Sequence, residues 1–152
     1  MFDFGCHRIE VLMSLFGEIK KVCSVISNAL FDREVEDTAV AVFEFANGAQ
    51  AVLSVTHAVS APQDTLDIFG DRGSIRVANL NEGGIKIATK DGERTEIHQP
   101  HANLHFPLIE DFVEAIFENR EPRVDGTAGR DVARIEAEIY ARGLAAQERT
   151  IE

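Results

Sequence analysis

Two long apolar runs separated only by Asn47-Gly48 constrain this chain more than any other feature of its sequence. Residues 37–46 and 49–60 have the length and the alternating character of strands. An Asn-Gly pair between such runs is the strongest short signal for a β-hairpin, because a type I′ turn needs positive φ at both central residues. The sequence therefore predicts an antiparallel hairpin with a type I′ turn at Asn47-Gly48.

Shorter strands are predicted on both sides of this hairpin. They cover residues 22–27, 65–69, 74–77, 85–88 and 95–97, with turns at 70–73 and 90–93. The glycines of these turns, among them Gly70, Gly73, Gly83 and Gly84, are not a phosphate cradle, because no helix N-terminus follows them.

Helical periodicity occurs at both ends of the chain. Residues 4–16 place Ile9, Leu12 and Phe16 on one face, and Gly17 is suited to end that helix. Residues 107–119 and 129–147 predict two more helices, the first with a proline in its opening turn. Glu138 and Arg142 are spaced to pair on the last helix.

A run of strands followed by helices predicts an α+β fold, in which a mainly antiparallel sheet carries helices on one face. We expect one domain over residues 1–152. From Ala39 to Ala46 this strand is apolar on both sides except for Glu44, and the helices can cover only one side. Val40 and Val42 lie on the uncovered side, so we expect a homodimer or higher homo-oligomer formed through that face.

The composition excludes some classes of partner. Acidic residues number 26 against 15 basic ones, and the net charge is −11. Nucleic acid and anionic membranes would be repelled on average. No signal peptide is evident, and Cys6 and Cys23 are interpreted as reduced thiols, so we expect a cytoplasmic protein.

Asp3 and His7 are candidate catalytic residues. If both lie on the first helix, the spacing of four stacks them one turn apart. A carboxylate beside an imidazole makes a general base that works near neutral pH. Gly5 between them leaves room for a substrate or cofactor. The alternative is a solvent-exposed capping acid and a histidine without function.

Four segments resemble the glucose–fructose oxidoreductase, inositol dehydrogenase and MocA family of oxidoreductases. Residues 3–10, DFGCHRIE, are similar to the DxGxHxxD segment that opens the family's C-terminal domain, with Glu10 in place of the usual Asp. Residues 66–75 resemble its I-x-G-x-x-G-S hairpin, and residues 106–122 its DFVxAIxxxxxP helix. The final helix resembles the family's closing segment.

This resemblance implies a fold like the C-terminal domain of glyceraldehyde-3-phosphate dehydrogenase. It also implies an NAD(P)-dependent dehydrogenase acting on a secondary alcohol of a sugar, cyclic polyol or derivative. His7 would take the hydroxyl proton and Asp3 would orient the sugar or the imidazole, while Glu10 and His105 would lie at the substrate.

The family's nucleotide-binding half has no counterpart in the chain. Neither a GxGxxG followed by a helix nor a Glu-Lys-Pro segment occurs, so no Rossmann domain is expected here. NAD or NADP would bind the full-length protein and not this chain alone, which would be inactive. The alternative is a stand-alone, non-catalytic dimerisation or ligand-binding module of the same fold.

The remaining histidines are weaker indications of a functional site than His7. His98, His101 and His105 form an H-x2-H-x3-H pattern, but they are predicted to lie in a loop without acidic or thiol ligands, so no metal site is expected. His57 is interpreted as a sheet-face residue.

Overall fold

The computed structural model describes residue 1 and residues 3–147, which form two compact units. The first comprises Met1–Val59 together with the segment from Val124 onward, and the second comprises Ser60–Arg123. The α+β fold with antiparallel sheets is as predicted from the order of periodicities.

The first unit begins with helix α1 (Gly5–Phe16), followed by strands β1 (Ile19–Ser27), β2 (Thr38–Phe45) and β3 (Gln50–Thr56). The strands form an antiparallel sheet in the order β1-β2-β3. The long helix α3 (Gly126–Gln147) packs on β1 and on α1. α3 therefore covers one face of this sheet, as expected for the fold.

The core of the first unit lies between that sheet face and the helices. Alternate residues of β2 point into it, since side chains of a strand alternate between faces. The largest fully buried side chains there are Phe43, Phe45, Ile9, Ile135 and Ile139. The Phe16 ring lies 5.3 Å from the Phe45 ring, which joins the end of α1 to the end of β2.

The β2–β3 hairpin is confirmed, but the predicted type I′ turn is wrong. Gly48 has φ +87°, whereas Asn119 is the single non-glycine with positive φ among the described residues, so Asn47 does not adopt the required conformation. The Gly48 N–H donates to Phe45 O at 3.0 Å, and the Phe45 N–H donates to Ala49 O at 2.9 Å. Residues 46–48 thus form a longer loop that closes with a left-handed glycine.

The second unit contains strands β4 (Leu66–Gly70), β5 (Gly73–Val77), β6 (Gly84–Thr89) and β7 (Gly92–Ile97), followed by helix α2 (Phe106–Glu118). The strands form one antiparallel sheet in chain order. Asp67 and Arg76 face each other across β4 and β5 and form an ion pair at 2.8 Å.

Helix α2 has the predicted apolar stripe and the predicted proline in its first turn. It ends at Asn119, whose left-handed conformation (φ 51°) closes the last turn. The apolar side chains of the stripe are 42–85% exposed, and Ala115 is the buried residue. Covering of a sheet face therefore falls to α3 rather than to both late helices. None of the described helices combines the length and the apolar character needed to cross a bilayer.

Candidate active site

The turn that precedes α1 carries Asp3, and the first turn of α1 carries His7. Both side chains are exposed. Asp3 lies before the helix, whose N-cap is Phe4. The four-residue spacing between Asp3 and His7 therefore does not lie wholly inside the helix. The carboxylate Oδ2 of Asp3 instead lies 3.9 Å from Nε2 of His57. Asp3 therefore has a second histidine beside it, His57, which the sequence did not predict.

Gly5 does not leave open space, contrary to the expectation from the sequence. Its N–H donates to Met1 O at 2.7 Å, which folds Met1 back over the start of the helix. A Cβ at Gly5 would clash with the Met1 sulfur. The room that the glycine creates is filled by the Met1 side chain rather than kept for a ligand.

His7 acts electrostatically on a buried carboxyl of α3. Glu136 is 4% exposed, and among the described residues no partner hydrogen-bonds its Oε1. Burial raises the pKa of Glu136, and electrostatic interactions with the chain's amino group and with His7 oppose that rise. A buried acid thus lies behind the exposed imidazole.

A second carboxyl of the same region is hydrogen-bonded. Glu36 accepts hydrogen bonds from the Met1 amino group and from the Tyr140 hydroxyl. Burial acts to raise the pKa of Glu36, but these two hydrogen bonds, a backbone hydrogen bond and the charge of the amino group together outweigh it, and the pKa is lowered. The carboxylate form of Glu36 is therefore favoured, unlike that of Glu136.

Sequence reasoning missed both of these acids. Glu136 follows Val132 by four and precedes Ile139 by three, so it lies on the buried face of α3. That position was a usable signal, since acids are rarely buried without a partner. No comparable signal marked Glu36, because its partner Tyr140 is 104 positions away.

The other predicted site residues are divided between the two units. Glu10 lies half-buried on α1 in the first unit. His105 belongs to the second unit and is the exposed N-cap of α2. The backbone N–H of His105 donates a hydrogen bond to Asn103 Oδ1 at 3.0 Å.

The remaining histidines of the second unit contact close neighbours. His98 Nε2 lies 3.2 Å from Glu96 Oε2, and the His101 ring stacks on Phe106 at 4.5 Å. Within the described ranges, no group of three or more His, Cys, Asp or Glu side chains is arranged to hold a metal ion.

Comparison with known proteins identifies the family. Residues 1–76 match the family model described as the GFO/IDH/MocA C-terminal domain. This segment contains the DFGCHRIE motif and the hairpin of residues 66–75. The chain therefore belongs to the GFO/IDH/MocA C-terminal domain family, which confirms the resemblance drawn from the sequence.

Two curated relatives are sugar or polyol dehydrogenases. The chain is 22% identical to myo-inositol 2-dehydrogenase of Thermotoga maritima, over 84% of the chain and 42% of the relative. It is 24% identical to D-apiose dehydrogenase of Paraburkholderia graminis, over 99% of the chain and 44% of the relative. The chain thus spans less than half the length of the curated relatives it matches.

Solved structures show the same fold. A levoglucosan dehydrogenase, solved in complex with NADH and levoglucosan, matches 95% of the chain and 48% of its own length with a TM-score of 0.82. The identity is 24%, so this likeness concerns the fold.

Proposed function

We propose that this chain is the substrate-binding and catalytic part of an NAD(P)-dependent oxidoreductase that acts on a secondary alcohol of a sugar, a cyclic polyol or a derivative. The observation that carries the proposal is the exposed pair of groups at the start of α1, a carboxylate at Asp3 and an imidazole at His7, inside the segment that matches the family. The relatives' names support the substrate class.

His7 is the proposed general base. It takes the proton of the substrate hydroxyl, and an exposed imidazole is free to reach that proton. Asp3 accepts a hydrogen bond from a substrate hydroxyl and orients the sugar. Glu10 and His105 are further proposed substrate-binding residues. Help of this acid–base kind is worth about 10²–10⁴-fold in rate.

The residues of this chain do not fit a dinucleotide by themselves. The Gly70–Gly73 turn connects two antiparallel strands, β4 and β5, whereas a pyrophosphate site needs a glycine-rich turn that opens a helix. The cofactor is therefore proposed to bind to another part of the complete protein, and residues 1–152 to be its single C-terminal domain.

Assembly through the open face of the first sheet is proposed as well. The side of β1–β3 opposite α3 carries Cys23, Val25, Val40, Val42 and Val52. Val25 and Val52 are 60% and 70% exposed, which is costly for apolar side chains. A homodimer or higher homo-oligomer packed through this face would bury them. The same face supports the alternative function, a non-catalytic dimerisation or ligand-binding module.

The proposal is tested in the complete protein that carries this chain, with NAD⁺ or NADP⁺ and a panel of sugars and polyols. His7→Ala should lower kcat by about 10²–10⁴-fold, the range of a lost general base. Asp3→Asn should lower it less. His98→Ala is the control, because His98 is also an exposed histidine and has no proposed role.

The melting temperature of His7→Ala should be close to that of the wild type, since the side chain is exposed. Turnover within about threefold of wild type in His7→Ala would show that His7 is not the base.

A further inference from the structure

His57 has a fixed backbone position at the end of β3. It directly follows the last strand residue, Thr56, and its N–H donates to Asp37 O at 2.8 Å. Asp37 is itself held, because its carboxylate accepts hydrogen bonds from the loop that precedes β2, at Ala29 and Leu30 among others. Because its backbone is fixed in this way, the side chain of His57 starts from a defined position.

The side chain of His57 is oriented by two residues from the start of α1. Its ring centre lies 5.1 Å from that of Phe4, with the planes tilted by 43°. Its Nε2 lies 3.9 Å from the Asp3 carboxylate, within ion-pair distance but beyond a direct hydrogen bond. Elements far apart in sequence therefore bring an imidazole to the carboxylate that was expected to accompany His7.

Both side chains remain open to a ligand. His57 is 45% exposed and Asp3 is 75% exposed. A solvent-exposed pair of this kind adds little to folding stability, so the pairing has no large structural benefit. A carboxylate accepts hydrogen bonds and an imidazole can donate one, and these are the two roles that neighbouring hydroxyls of a sugar or polyol require.

We propose that His57 is a specificity-determining residue that works together with Asp3, the two binding adjacent hydroxyls of the substrate. This inference rests on the proposed function. His57 binds and positions the substrate, whereas His7 moves the proton. Loss of His57 should therefore act on KM, and loss of His7 on kcat.

The kinetic experiment uses the complete protein with the best substrate of the sugar and polyol panel. His57→Ala should lower kcat/KM by about 3–10-fold, the range for one hydrogen bond between neutral groups, with kcat close to that of wild type. His57→Gln, which keeps a donor, should recover part of the loss. In the double variant with Asp3→Asn, the combined loss should be smaller than the product of the two single losses.

His98→Ala is the matched control, because His98 also lies beside a carboxylate and has no proposed role. An unchanged kcat/KM in His57→Ala, or a loss equal to that of His98→Ala, would overturn the inference. Folding is monitored by thermal melting. The backbone hydrogen bond of His57 survives the substitution, so the melting temperature should be unchanged.

A measurement without turnover separates this inference from the proposed function. In this chain, Asp3→Asn should shift the ring-nitrogen NMR signals of His57 and leave those of His98 in place. Unshifted His57 signals would refute the pairing, whatever the activity. Absence of turnover by the wild-type protein on every sugar and polyol would contradict the proposed function, and the substrate role of His57 would fall with it.

Discussion

Asp37 shows how one buried side chain holds a loop. Its two carboxylate oxygens accept the backbone N–H groups of Ala29, Leu30 and Phe31, each at 2.8 Å, and the Thr38 hydroxyl at 2.9 Å. The N–H groups of Phe31 and Ala29 contribute most to lowering the pKa of Asp37 far below its ordinary 3.8. The carboxylate thus takes over backbone donors that no strand pairing satisfies.

Asp37→Asn should lower the melting temperature at neutral pH, because the amide keeps one acceptor oxygen and turns a donor toward the loop N–H groups. The sign with pH follows from the lowered pKa. The stabilisation is complete above the unfolded pKa near 3.8 and is lost as pH falls toward the folded value. Thermal melts at several pH values should show the variant's deficit constant above about pH 5 and narrowing below pH 4.

Asn cannot titrate, so the difference between the two proteins isolates Asp37 from the other carboxylates. A deficit that stays constant down to pH 2, or no deficit at neutral pH, would contradict this role.

At the residue scale, the sequence proposed Asp3 and His7 as candidate groups but did not predict the contact between Asp3 and His57. Asp3 and His7 were selected by a spacing that applies only inside a helix, and α1 begins after Asp3. The contact of Asp3 with His57 joins residues 54 positions apart. No local pattern encodes such a contact, because it depends on where the strand end meets the helix start.

At the scale of elements, the periodicities predicted the helices and strands, with differences at their ends. The type I′ turn predicted at Asn47-Gly48 was wrong, because the Asn47 side chain forms hydrogen bonds that the prediction did not include. Its side-chain nitrogen donates to Phe16 O at 3.1 Å, and its side-chain oxygen accepts the Ala49 N–H at 3.0 Å. The asparagine thus links the hairpin to the end of α1, a tertiary role that a dipeptide rule does not contain.

The contact of α3 with β1 depends on Gly143. A Cβ at this position would lie 2.9 Å and 3.0 Å from Cγ1 and Cγ2 of Ile26. Gly143→Ala should therefore lower the free energy of unfolding by about 1–3 kcal/mol, because overpacking outweighs the roughly 1 kcal/mol that alanine gains over glycine in a helix. Urea denaturation measures this change.

Gly129→Ala is the matched control on the same helix. Nothing lies within 4 Å of a Cβ there, so this variant should be stabilised by about 0.5–1 kcal/mol. Equal stabilisation of both variants would show that α3 does not pack closely on Ile26.

At the scale of the whole molecule, the open sheet face decides the expected assembly. Light scattering coupled to size exclusion at micromolar concentration should find a dimer or larger species. Val42→Glu should dissociate it without unfolding the chain, because Val42 is already 45% exposed. Val59→Glu, an exposed valine outside the strands, should leave the assembly intact.

The reactivity of the Cys23 thiol is an independent test of assembly through the same face. It pairs in register with Val42, so its thiol should react more slowly in the assembled wild type than in Val42→Glu, both in a Cys6→Ser background. A strictly monomeric wild-type chain with a fully reactive Cys23 would refute assembly through this face.

Cofactor binding also belongs to the whole molecule. Calorimetric titration of this chain with NAD⁺, NADH, NADP⁺ or NADPH should detect no useful affinity, since its glycine turns connect strands and do not open a helix. The complete protein is the positive control. Micromolar binding by the chain alone would contradict the proposal that the dinucleotide site lies elsewhere.

The discontinuity of the first unit has a consequence for how the chain is made. One face of its sheet is covered by α3, which comes much later in the chain. The Ser24 hydroxyl of β1, for example, donates to Ile139 O across 115 positions. Ser60–Arg123, the whole second unit, is synthesised in between. At roughly 5–20 residues per second, this takes about 3–13 s, during which the apolar face of β1–β3 has left the ribosome without its covering helix. The nascent β2–β3 hairpin therefore exposes its apolar face for longer than it would if α3 followed it directly.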